Sequence, residues 1–272
     1  MTKGLAACPL AACLLALCLA GSAVQADDSL TLGVTTSTEN SGLIGHLIPR
    51  FEEATGIAVR TITAGTGQVL RIAKDGEVDV TLTHDSEAEL AFVAEGFGLE
   101  RHEVMHNDFI LVGPTDDPAG IAGVADPSEA LRRIAEAESV FLSRGDESGT
   151  HKAELRVWAE AGIDPTPDSG DWYLESGSGQ GASLNIAVGL GAYTLTDRAT
   201  WSSFGNRGGL RILVEDRSRL VNRYSVMLVN PERHPHVKVE DGLAFIAWIT
   251  SPEGRAAIVD YHIDGKGLFF TD

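Results

Sequence analysis

Four short segments of the sequence concentrate hydroxyl groups and glycines where an apolar run gives way to an amphipathic one. They are TTSTENSG at 35–42, GTGQ at 65–68, SRGDESGTHK at 143–152 and SGSGQG at 176–181. Hydroxyls rotate to donate hydrogen bonds, and a helix that begins at glycine leaves its first backbone N–H groups open to a ligand. Helix capping needs only one hydroxyl and would explain any one segment alone. Four segments of this kind predict a shared site for an anion.

Arg144 is the candidate ligand with a formal charge. It ends a predicted strand inside SRGDESGTHK, and its planar guanidinium can hold two oxygens of one anion. A salt bridge to Asp146 or Glu147 is the structural alternative. Three or four helix ends of about +0.5 each, together with Arg144, would offset a dianion.

The charge of the chain limits its partners. It carries 21 Lys+Arg against 39 Asp+Glu, a formal net charge of −18. Nucleic acid and anionic membranes are therefore poor partners, and long-range attraction cannot collect an anion. Neutral hydrogen-bond donors at short distance, with about one cation, must hold the anion instead. This requirement favours a small, doubly charged oxyanion.

The first 26 residues are expected to be a signal peptide. Lys3 precedes a nearly continuous apolar run at 5–20, and Val24-Gln25-Ala26 supplies the small residues of a cleavage site. A permanent membrane anchor, or a lipoprotein cleaved before Cys13, are the alternatives. Cleavage near Asp27 would leave 20 basic and 39 acidic residues, a formal charge of −19.

All three cysteines lie in this N-terminal segment, at Cys8, Cys13 and Cys18. The mature chain would contain none. This excludes disulfides, thiolate metal sites and a cysteine nucleophile from the expected mature protein.

The elements that position the four segments follow from the hydrophobic pattern. Short β-branched runs alternate with longer amphipathic ones, which predicts an α/β protein with a mostly parallel sheet covered by helices. Asn40 and Ser41 are predicted to cap a helix, and Asn107 and Asp108 to form a turn. Strand ends meet at one edge of such a sheet, so the segments should converge on a cleft. Strands are predicted at 30–35, 58–64, 78–83, 109–112, 140–143, 192–195, 210–214 and 224–229, and helices at 43–54, 69–75, 87–95, 127–137, 150–161, 179–188, 242–250 and 252–261.

Several longer blocks carry a family resemblance. TTSTENSGL, PRFEEATGI, AGTGQVL, NDFILVGPTDDPAGI, SRGDESGTHKAE and GAYTLTDRATW occur in that order. Together they closely resemble the periplasmic tungstate-binding proteins of Tup-type ABC importers, over essentially the whole mature chain. The resemblance implies the two-lobed type II periplasmic-binding-protein fold, with each lobe a mostly parallel sheet flanked by helices and two crossing strands between the lobes. The ligand would lie in the cleft, with lobe I at 27–110 and 224–272 and lobe II at 111–223.

The resemblance also implies ligand residues. The threonine/serine turn of the family matches Thr35, Thr36 and Ser37, although the family usually opens with three threonines and this chain has Val34 at the first position. The SRG-D-x-SGT block matches Ser143, Arg144, Ser148, Gly149 and Thr150, with the arginine as a principal ligand. The corner pattern, rather than the resemblance, adds Gly67, Gln68, Ser178 and Gly179.

The expected function is capture of tungstate, or of molybdate, and delivery to an ABC permease. We expect a periplasmic monomer with no catalytic residue, no cofactor and no bound metal ion other than the metal of the oxyanion. A phosphate-binding protein is the nearest alternative, because SRGDESGT also resembles the phosphate site of that class. Phosphate keeps a proton near neutral pH and needs an acceptor, for which Asp146 is the candidate.

Three other functions are weaker interpretations. A hydrolase would use Ser37 or Ser148 with His84 or His151, but no G-x-S-x-G motif supports it. A metal site would use His234-Pro235-His236, or His102 with His106, and solvated histidines explain both groups better. A sugar site would need paired aromatic platforms, which are not evident among Trp158, Trp172, Trp201 and Trp248.

Overall fold

The computed structural model describes residues 1–2 and 29–272. The predicted signal peptide at 1–26 lies outside the described residues, apart from Met1 and Thr2. Among the described residues, no helix is both long and apolar enough to span a membrane.

The described chain contains eleven strands and ten α-helices, together with one short 3-10 helix (Thr166–Asp168). The strands are β1 (Leu30–Thr35), β2 (Val59–Ala64), β3 (Val80–Thr83), β4 (His102–Pro114), β5 (Phe141–Ser143), β6 (Tyr173–Glu175), β7 (Thr194–Asp197), β8 (Leu210–Glu215), β9 (Val221–Leu228), β10 (His262–Ile263) and β11 (Lys266–Gly267). The helices are α1 (Thr36–Asn40), α2 (Leu43–Thr55), α3 (Thr66–Lys74), α4 (Ser86–Ala94), α5 (Pro127–Glu136), α6 (Gly149–Ala161), α7 (Gln180–Leu190), α8 (Arg198–Ser203), α9 (Val239–Thr250) and α10 (Pro252–Val259).

The main sheet has the order β2-β1-β3-β9-β4-β7, and β8 also pairs with β4. Its β1–β2 and β1–β3 pairs are parallel, as is the separate β5–β6 pair. Every pair that involves β4 or β9 is antiparallel. The α/β prediction is confirmed, but the sheet is mixed rather than mostly parallel, because β4 and β9 run past each other in opposite directions.

Two bodies, which we call the first and second lobes, surround separate hydrophobic cores. The first core contains side chains of β1, β3, α2, α9 and α10, such as Leu32, Phe51 and Ile249. The second lobe holds two adjacent clusters, around Trp158 and around Leu184. Strand β4 pairs with β9 through residues 102–108 and with β7 and β8 through residues 109–114, so it passes from one lobe to the other.

The predicted turn at Asn107 and Asp108 is wrong, because both residues lie inside β4. They are buried polar groups with partners on neighbouring elements. The Nδ2 atom of Asn222 donates to Oδ1 of Asn107 at 2.7 Å, and the guanidinium of Arg198 donates to both carboxylate oxygens of Asp108. These bonds give each of the two side chains a partner inside the strand, although Nδ2 of Asn107 has none among the described residues.

The predicted cap at Asn40 is also wrong. Residues 36–40 form α1, a short helix that the sequence pattern missed, and Asn40 is its last residue. Gly42 occupies the N-cap position of α2 with a φ of 83°, a conformation that favours glycine. Ser41 still contributes to the start of α2, since its hydroxyl accepts a hydrogen bond from the backbone N–H of Leu43 at 3.3 Å.

Candidate functional site

The threonine/serine turn lies at the buried end of β1. Thr35 caps α1, and its hydroxyl bonds to those of Ser37 at 3.1 Å and Thr38 at 2.6 Å. Thr35, Ser37 and Thr38 are buried, while Thr36 is half-buried. A connected group of hydroxyls therefore forms the floor of the site on the first lobe.

His84 supports this group from the end of β3. Its Nε2 atom lies 2.8 Å from the hydroxyl of Ser37, and its ring packs against that of Tyr224. Burial, and secondarily the positive charge of Arg144, lower the pKa of His84 to about 4. The imidazole is thus neutral near neutral pH and adds no positive charge to the site.

Arg144 follows β5 and is almost completely buried, with 1% of its surface exposed. Its Nε donates to the backbone oxygen of Ser178 at 2.9 Å and its Nη1 to Oε1 of Gln180 at 2.9 Å. Its Nη2 reaches the hydroxyl of Thr36 at 3.4 Å and also pairs with Oδ2 of Asp146. The guanidinium thereby joins the second lobe to the threonine/serine turn.

Burial lowers the pKa of Arg144, and the nearby Asp146 carboxylate opposes that effect. The salt bridge weighed from the sequence is therefore present with Asp146. Glu147 pairs with Arg71 instead. The other oxygen of Asp146, Oδ1, accepts from the backbone N–H of Ser148 at 3.2 Å, so both carboxylate oxygens have partners.

The first turn of α6 forms the opposite wall. Ser148 caps the helix and accepts from the N–H of His151 at 3.2 Å, and the hydroxyl of Ser143 accepts from the N–H of Gly145. Thr150 is fully buried, and its hydroxyl has no hydrogen-bond partner within the described part of the chain. Gly149 packs directly on His84, since a Cβ there would lie 2.6 Å from Nδ1 of the imidazole. This wall offers backbone N–H groups and a free hydroxyl.

The third corner, before α7, brings Ser178 and Gly179 beside the first lobe. A Cβ on Gly179 would be 3.6 Å from the side chain of Thr36, an ordinary contact distance. The hydroxyl of Ser178 donates to the backbone oxygen of Ser176, so Ser178 faces Arg144 with its backbone oxygen. Gln180, which the sequence analysis did not select, is fully buried and holds Arg144.

The fourth corner, at the start of α3, differs from the expectation. The side chain of Gln68 is exposed, and Gly67 lies half-buried beside the backbone oxygen of Glu147. The inward side chain is Thr66, whose buried hydroxyl has no partner among residues 29–272. Helical periodicity gives the signal that would have found it, because Thr66 shares a face with Val69, Leu70 and Ala73. Helical periodicity likewise places Gln180 on the buried face of α7, together with Ser183, Leu184 and Ala187.

Hydrogen bonds join the lobes around the site. The hydroxyl of Thr200 donates to the backbone oxygen of Ser37 at 3.2 Å, and that of Ser203 to the backbone oxygen of Ser41 at 3.1 Å. The four predicted corners also contact one another, since Arg144 reaches Thr36 and Ser178, and Gly67 lies beside Glu147. They therefore converge, as expected for strand ends in an α/β sheet.

Two buried carboxyl groups lie on the second-lobe side of Arg144. Burial raises the pKa of Asp197, which caps α8, and raises that of Glu154 to about 7. The carboxylate of Glu154 accepts from the phenol of Tyr173 at 2.8 Å and from the indole of Trp158 at 3.1 Å. Both groups contribute negative potential at Arg144 when they are ionised.

The alternative metal sites are not assembled. No group of three potential ligands is close enough to hold a metal ion within the described residues. His234 and His236 each bond through Nε2 to backbone oxygens, of Lys74 at 3.0 Å and of Gly76 at 2.8 Å. His102 and His106 lie in β4 rather than on a helix.

The aromatic and nucleophilic alternatives lack geometric support as well. All four tryptophans, Trp158, Trp172, Trp201 and Trp248, are buried and cannot stack on a sugar. Ser37 does contact His84, but Nδ1 of that imidazole lacks a hydrogen-bond partner among the described residues. A triad would require a carboxylate there.

Residues 21–253 match the family model of the PBP superfamily domain. The tungstate-binding protein TupA of Peptoclostridium acidaminophilum is 46% identical over 239 residues, which cover 87% of this chain and 82% of that protein. Among solved structures, the tungstate ABC transporter protein of Geobacter sulfurreducens is 45% identical, with a TM-score of 0.79 and coverage of 86% of this chain and 99% of that one. TupA of Desulfovibrio alaskensis is 41% identical, with a TM-score of 0.74 and coverage of 89% and 98%.

Proposed function

This chain belongs to the TupA family of tungstate-binding proteins, within the periplasmic-binding-protein superfamily, and from that premise we propose that it captures tungstate between its two lobes. The observation that carries the proposal is the buried guanidinium of Arg144, placed where four donor-rich corners meet. Such a site supplies one formal positive charge and many neutral donors, as a doubly charged oxyanion in a closed cleft requires.

The proposed ligand residues fall into three groups. Thr35, Thr36 and Ser37 supply hydroxyls from the first lobe. Ser143, Arg144, Ser148, Gly149 and Thr150 supply the charge and the α6 helix end, and Ser178 and Gly179 the α7 corner. On the α3 corner we place Gly67 and Gln68 at the rim and add Thr66, because its buried hydroxyl is free to donate.

The partners of Asp146 favour tungstate over hydrogenphosphate. Both carboxylate oxygens already accept hydrogen bonds, Oδ2 from Arg144 and Oδ1 from the N–H of Ser148. The proton of hydrogenphosphate would therefore have to share an oxygen with Arg144 or with the N–H of Ser148, whereas tungstate brings no proton. Molybdate has the same charge and shape as tungstate and is the second candidate ligand.

We further propose that the lobes extend over 27–110 with 224–272, and over 111–223, and that β4 and β9 act as the hinge between them. Hinge closure around a ligand is a common motion of two-lobed proteins. The protein would act without catalysis or a cofactor, as a monomer in the periplasm after removal of residues 1–26. A membrane permease of an ABC transporter would receive the oxyanion.

Thermal denaturation with tungstate, molybdate, sulfate and phosphate at equal concentrations tests the proposed ligand. A ligand at a thousand times its dissociation constant adds about 4 kcal/mol to the free energy of unfolding. We expect the largest rise in Tm with tungstate or molybdate and a small one with phosphate. A flat response to all four anions would refute oxyanion binding, and a phosphate response above that of tungstate would refute the specificity.

A further inference from the structure

Three hydroxyl groups on the first lobe form a connected set of hydrogen bonds that ends on His84. The hydroxyl of Thr35 lies 3.1 Å from that of Ser37 and 2.6 Å from that of Thr38. We call these three hydroxyls the hydroxyl cluster. The hydroxyl of Ser37 also lies 2.8 Å from Nε2 of His84. Each hydroxyl has one proton to donate and can also accept, so the two bonds inside the cluster use two of its three protons.

The third proton of the cluster depends on the tautomer of His84. If Nε2 of the neutral imidazole carries the ring proton, it donates to Ser37, and one hydroxyl proton is left to donate to an anion. If Nδ1 carries the ring proton, Nε2 is an acceptor that can take the proton of the Ser37 hydroxyl. The cluster is then free to accept a hydrogen bond from a ligand. The tautomer therefore decides whether this side of the site donates or accepts.

The surroundings of Nδ1 disfavour a proton on that atom. A Cβ on Gly149 would lie 2.6 Å from Nδ1, so this ring atom faces the amino end of α6. The positive end of the dipole of this 13-residue helix favours a lone pair there over an N–H group. Nδ1 is buried and has no hydrogen-bond partner among residues 29–272. A buried N–H group without an acceptor is costly, so the ring proton belongs on Nε2.

The other neighbours of His84 leave this assignment in place. Burial, and then Arg144, lower the pKa of the imidazole, and the opposing effects of Asp85 and Asn222 are smaller. Oδ1 of Asn222 accepts no hydrogen bond within the described part of the chain, either from Nδ1 or from another donor. The phenol of Tyr224, whose ring packs on the imidazole, already accepts from Nδ2 of Asn222 at 2.9 Å. Neither residue provides Nδ1 with an acceptor.

We propose that His84 determines specificity, because its Nε2–H group makes the hydroxyl cluster a donor only. The cluster then suits an oxyanion whose oxygens all accept, such as tungstate, molybdate or sulfate. Hydrogenphosphate carries a P–O–H group, which would meet a donor instead of an acceptor at this side of the site. His84 on the first lobe thus adds to the effect of Asp146 on the second. This inference rests on the proposed function, since it presupposes that an oxyanion occupies the cleft.

Nitrogen-15 NMR of histidine-labelled protein tests the tautomer directly. Long-range proton–nitrogen correlations distinguish an imidazole protonated on Nε2 from one protonated on Nδ1, and the signals of His84 are those that His84→Gln lacks. We expect the Nε2–H form at pH 8, both without ligand and with tungstate bound. The Nδ1–H form in the tungstate-loaded protein overturns the proposal.

Two substitutions of His84 test the selectivity. In His84→Gln the amide can present either its N–H or its carbonyl oxygen to Ser37, so the cluster can accept from hydrogenphosphate. In His84→Leu the cluster keeps one proton to donate and gains no acceptor. Displacement of tungstate at pH 8 gives the dissociation constants of sulfate and hydrogenphosphate. We expect wild type to prefer sulfate at least tenfold, His84→Gln to reduce that preference at least threefold, and His84→Leu to keep it within twofold.

The matched control is His262→Gln, the same substitution at an exposed histidine of β10. It should keep the wild-type preference. An unchanged preference in His84→Gln, or an equal reduction in His84→Leu, overturns the proposal, because His84 would then act through its packing alone. Equal affinity of wild type for sulfate and hydrogenphosphate overturns it too. If a variant fails to fold, the tautomer measured in wild type still decides.

Failure of the proposed function has a different signature. Wild-type protein that binds none of the oxyanions refutes capture, whatever the tautomer of His84. Tungstate binding by a protein whose His84 is protonated on Nδ1, or whose preference survives His84→Gln, refutes only the part assigned to His84.

Discussion

Arg144 makes directional bonds from three of its nitrogen atoms, and this geometry leads to the first prediction. Its Nε, Nη1 and Nη2 reach Ser178, Gln180 and Thr36. The ammonium group of lysine is a point charge and cannot span these acceptors together with an anion. We expect Arg144→Lys to weaken tungstate binding at least tenfold, about 1.4 kcal/mol, and to narrow the preference for tungstate over sulfate, both measured by calorimetry.

Arg133→Lys is the matched control for this variant. Arg133 is partly exposed on α5, where it pairs with Glu129. The control should bind tungstate like wild type. Equal affinity and selectivity in Arg144→Lys would instead show that Arg144 has only a structural part, through its salt bridge to Asp146.

Glu154 gives a pH prediction at the same scale. Burial raises the pKa of its carboxyl from 4.5 to about 7 in the fold. Between pH 4.5 and about 7 the folded protein therefore holds a proton that the unfolded chain releases, and the free energy of unfolding falls as the pH rises through that window. The loss from this one group is on the order of 3 kcal/mol.

Glu154→Gln removes this titration but keeps an acceptor for Tyr173 and Trp158. Urea unfolding at pH 4.5 and pH 8 gives the free energy of unfolding of both proteins. The difference in that free energy, variant minus wild type, should be about 3 kcal/mol larger at pH 8 than at pH 4.5. Parallel pH profiles for the two proteins would contradict the raised pKa. Asp197, whose pKa is also raised, titrates in both proteins and leaves the difference unaffected.

At the scale of elements, the approach of α6 to the first lobe depends on one missing side chain. A Cβ at Gly149 would lie 2.6 Å from Nδ1 of His84 and 2.9 Å from its backbone oxygen. Contacts this short force a shift, and a backbone oxygen gives way less easily than a flexible side chain. We expect Gly149→Ala to hold the lobes apart and to weaken tungstate binding at least tenfold.

Small-angle X-ray scattering with and without tungstate should show less contraction for Gly149→Ala than for wild type. Gly189→Ala provides the comparison, since a Cβ there meets nothing within 4 Å on helix α7. It should bind tungstate normally and raise the free energy of unfolding by about 0.5–1 kcal/mol. Full contraction of Gly149→Ala would show that α6 can shift without cost to closure.

The same elements show what could be predicted from the sequence. The hydrophobic pattern located β1 and α6 to within a residue. The six residues of β1 form a short, fully buried run, and the buried residues of α6 recur at helical spacing. The pattern missed nine of the thirteen residues of β4, since Asn107 and Asp108 look like turn residues until their partners on distant elements are known. It also missed α1, whose hydroxyl-rich sequence lacks an apolar stripe. Tertiary contacts decide such segments.

For the candidate site, the motifs located the corners but not every inward side chain. Thr35, Ser37 and Arg144 lie where the expectation put them, buried together. The motif GTGQ alone does not show which of its side chains points inward, and only the phase of α3 distinguishes the buried Thr66 from the exposed Gln68. Whether these residues are the ligands remains a prediction, which the binding experiments on the variants test.

At the scale of the whole molecule, the formal charge of −18 opposes the approach of a dianion. The Debye length is about 30 Å at 10 mM salt and about 8 Å at 150 mM. At low salt, therefore, the charge of the entire molecule acts on the incoming anion, whereas at higher salt only groups near the cleft do. The basic groups beside the cleft are largely paired, as Arg71 is with Glu147 and Lys152 with Asp85, so they cannot cancel the repulsion.

We expect the association rate of tungstate to rise severalfold between 10 and 150 mM NaCl, since salt screens that repulsion. Stopped-flow tryptophan fluorescence can follow the reaction, because Trp201 adjoins Thr200, which bonds to the threonine/serine turn. The dissociation rate should change less, since the bound anion would be held by short bonds inside a closed cleft. A fall in the association rate with salt would mean that Arg144 attracts the anion more strongly than the acidic surface repels it.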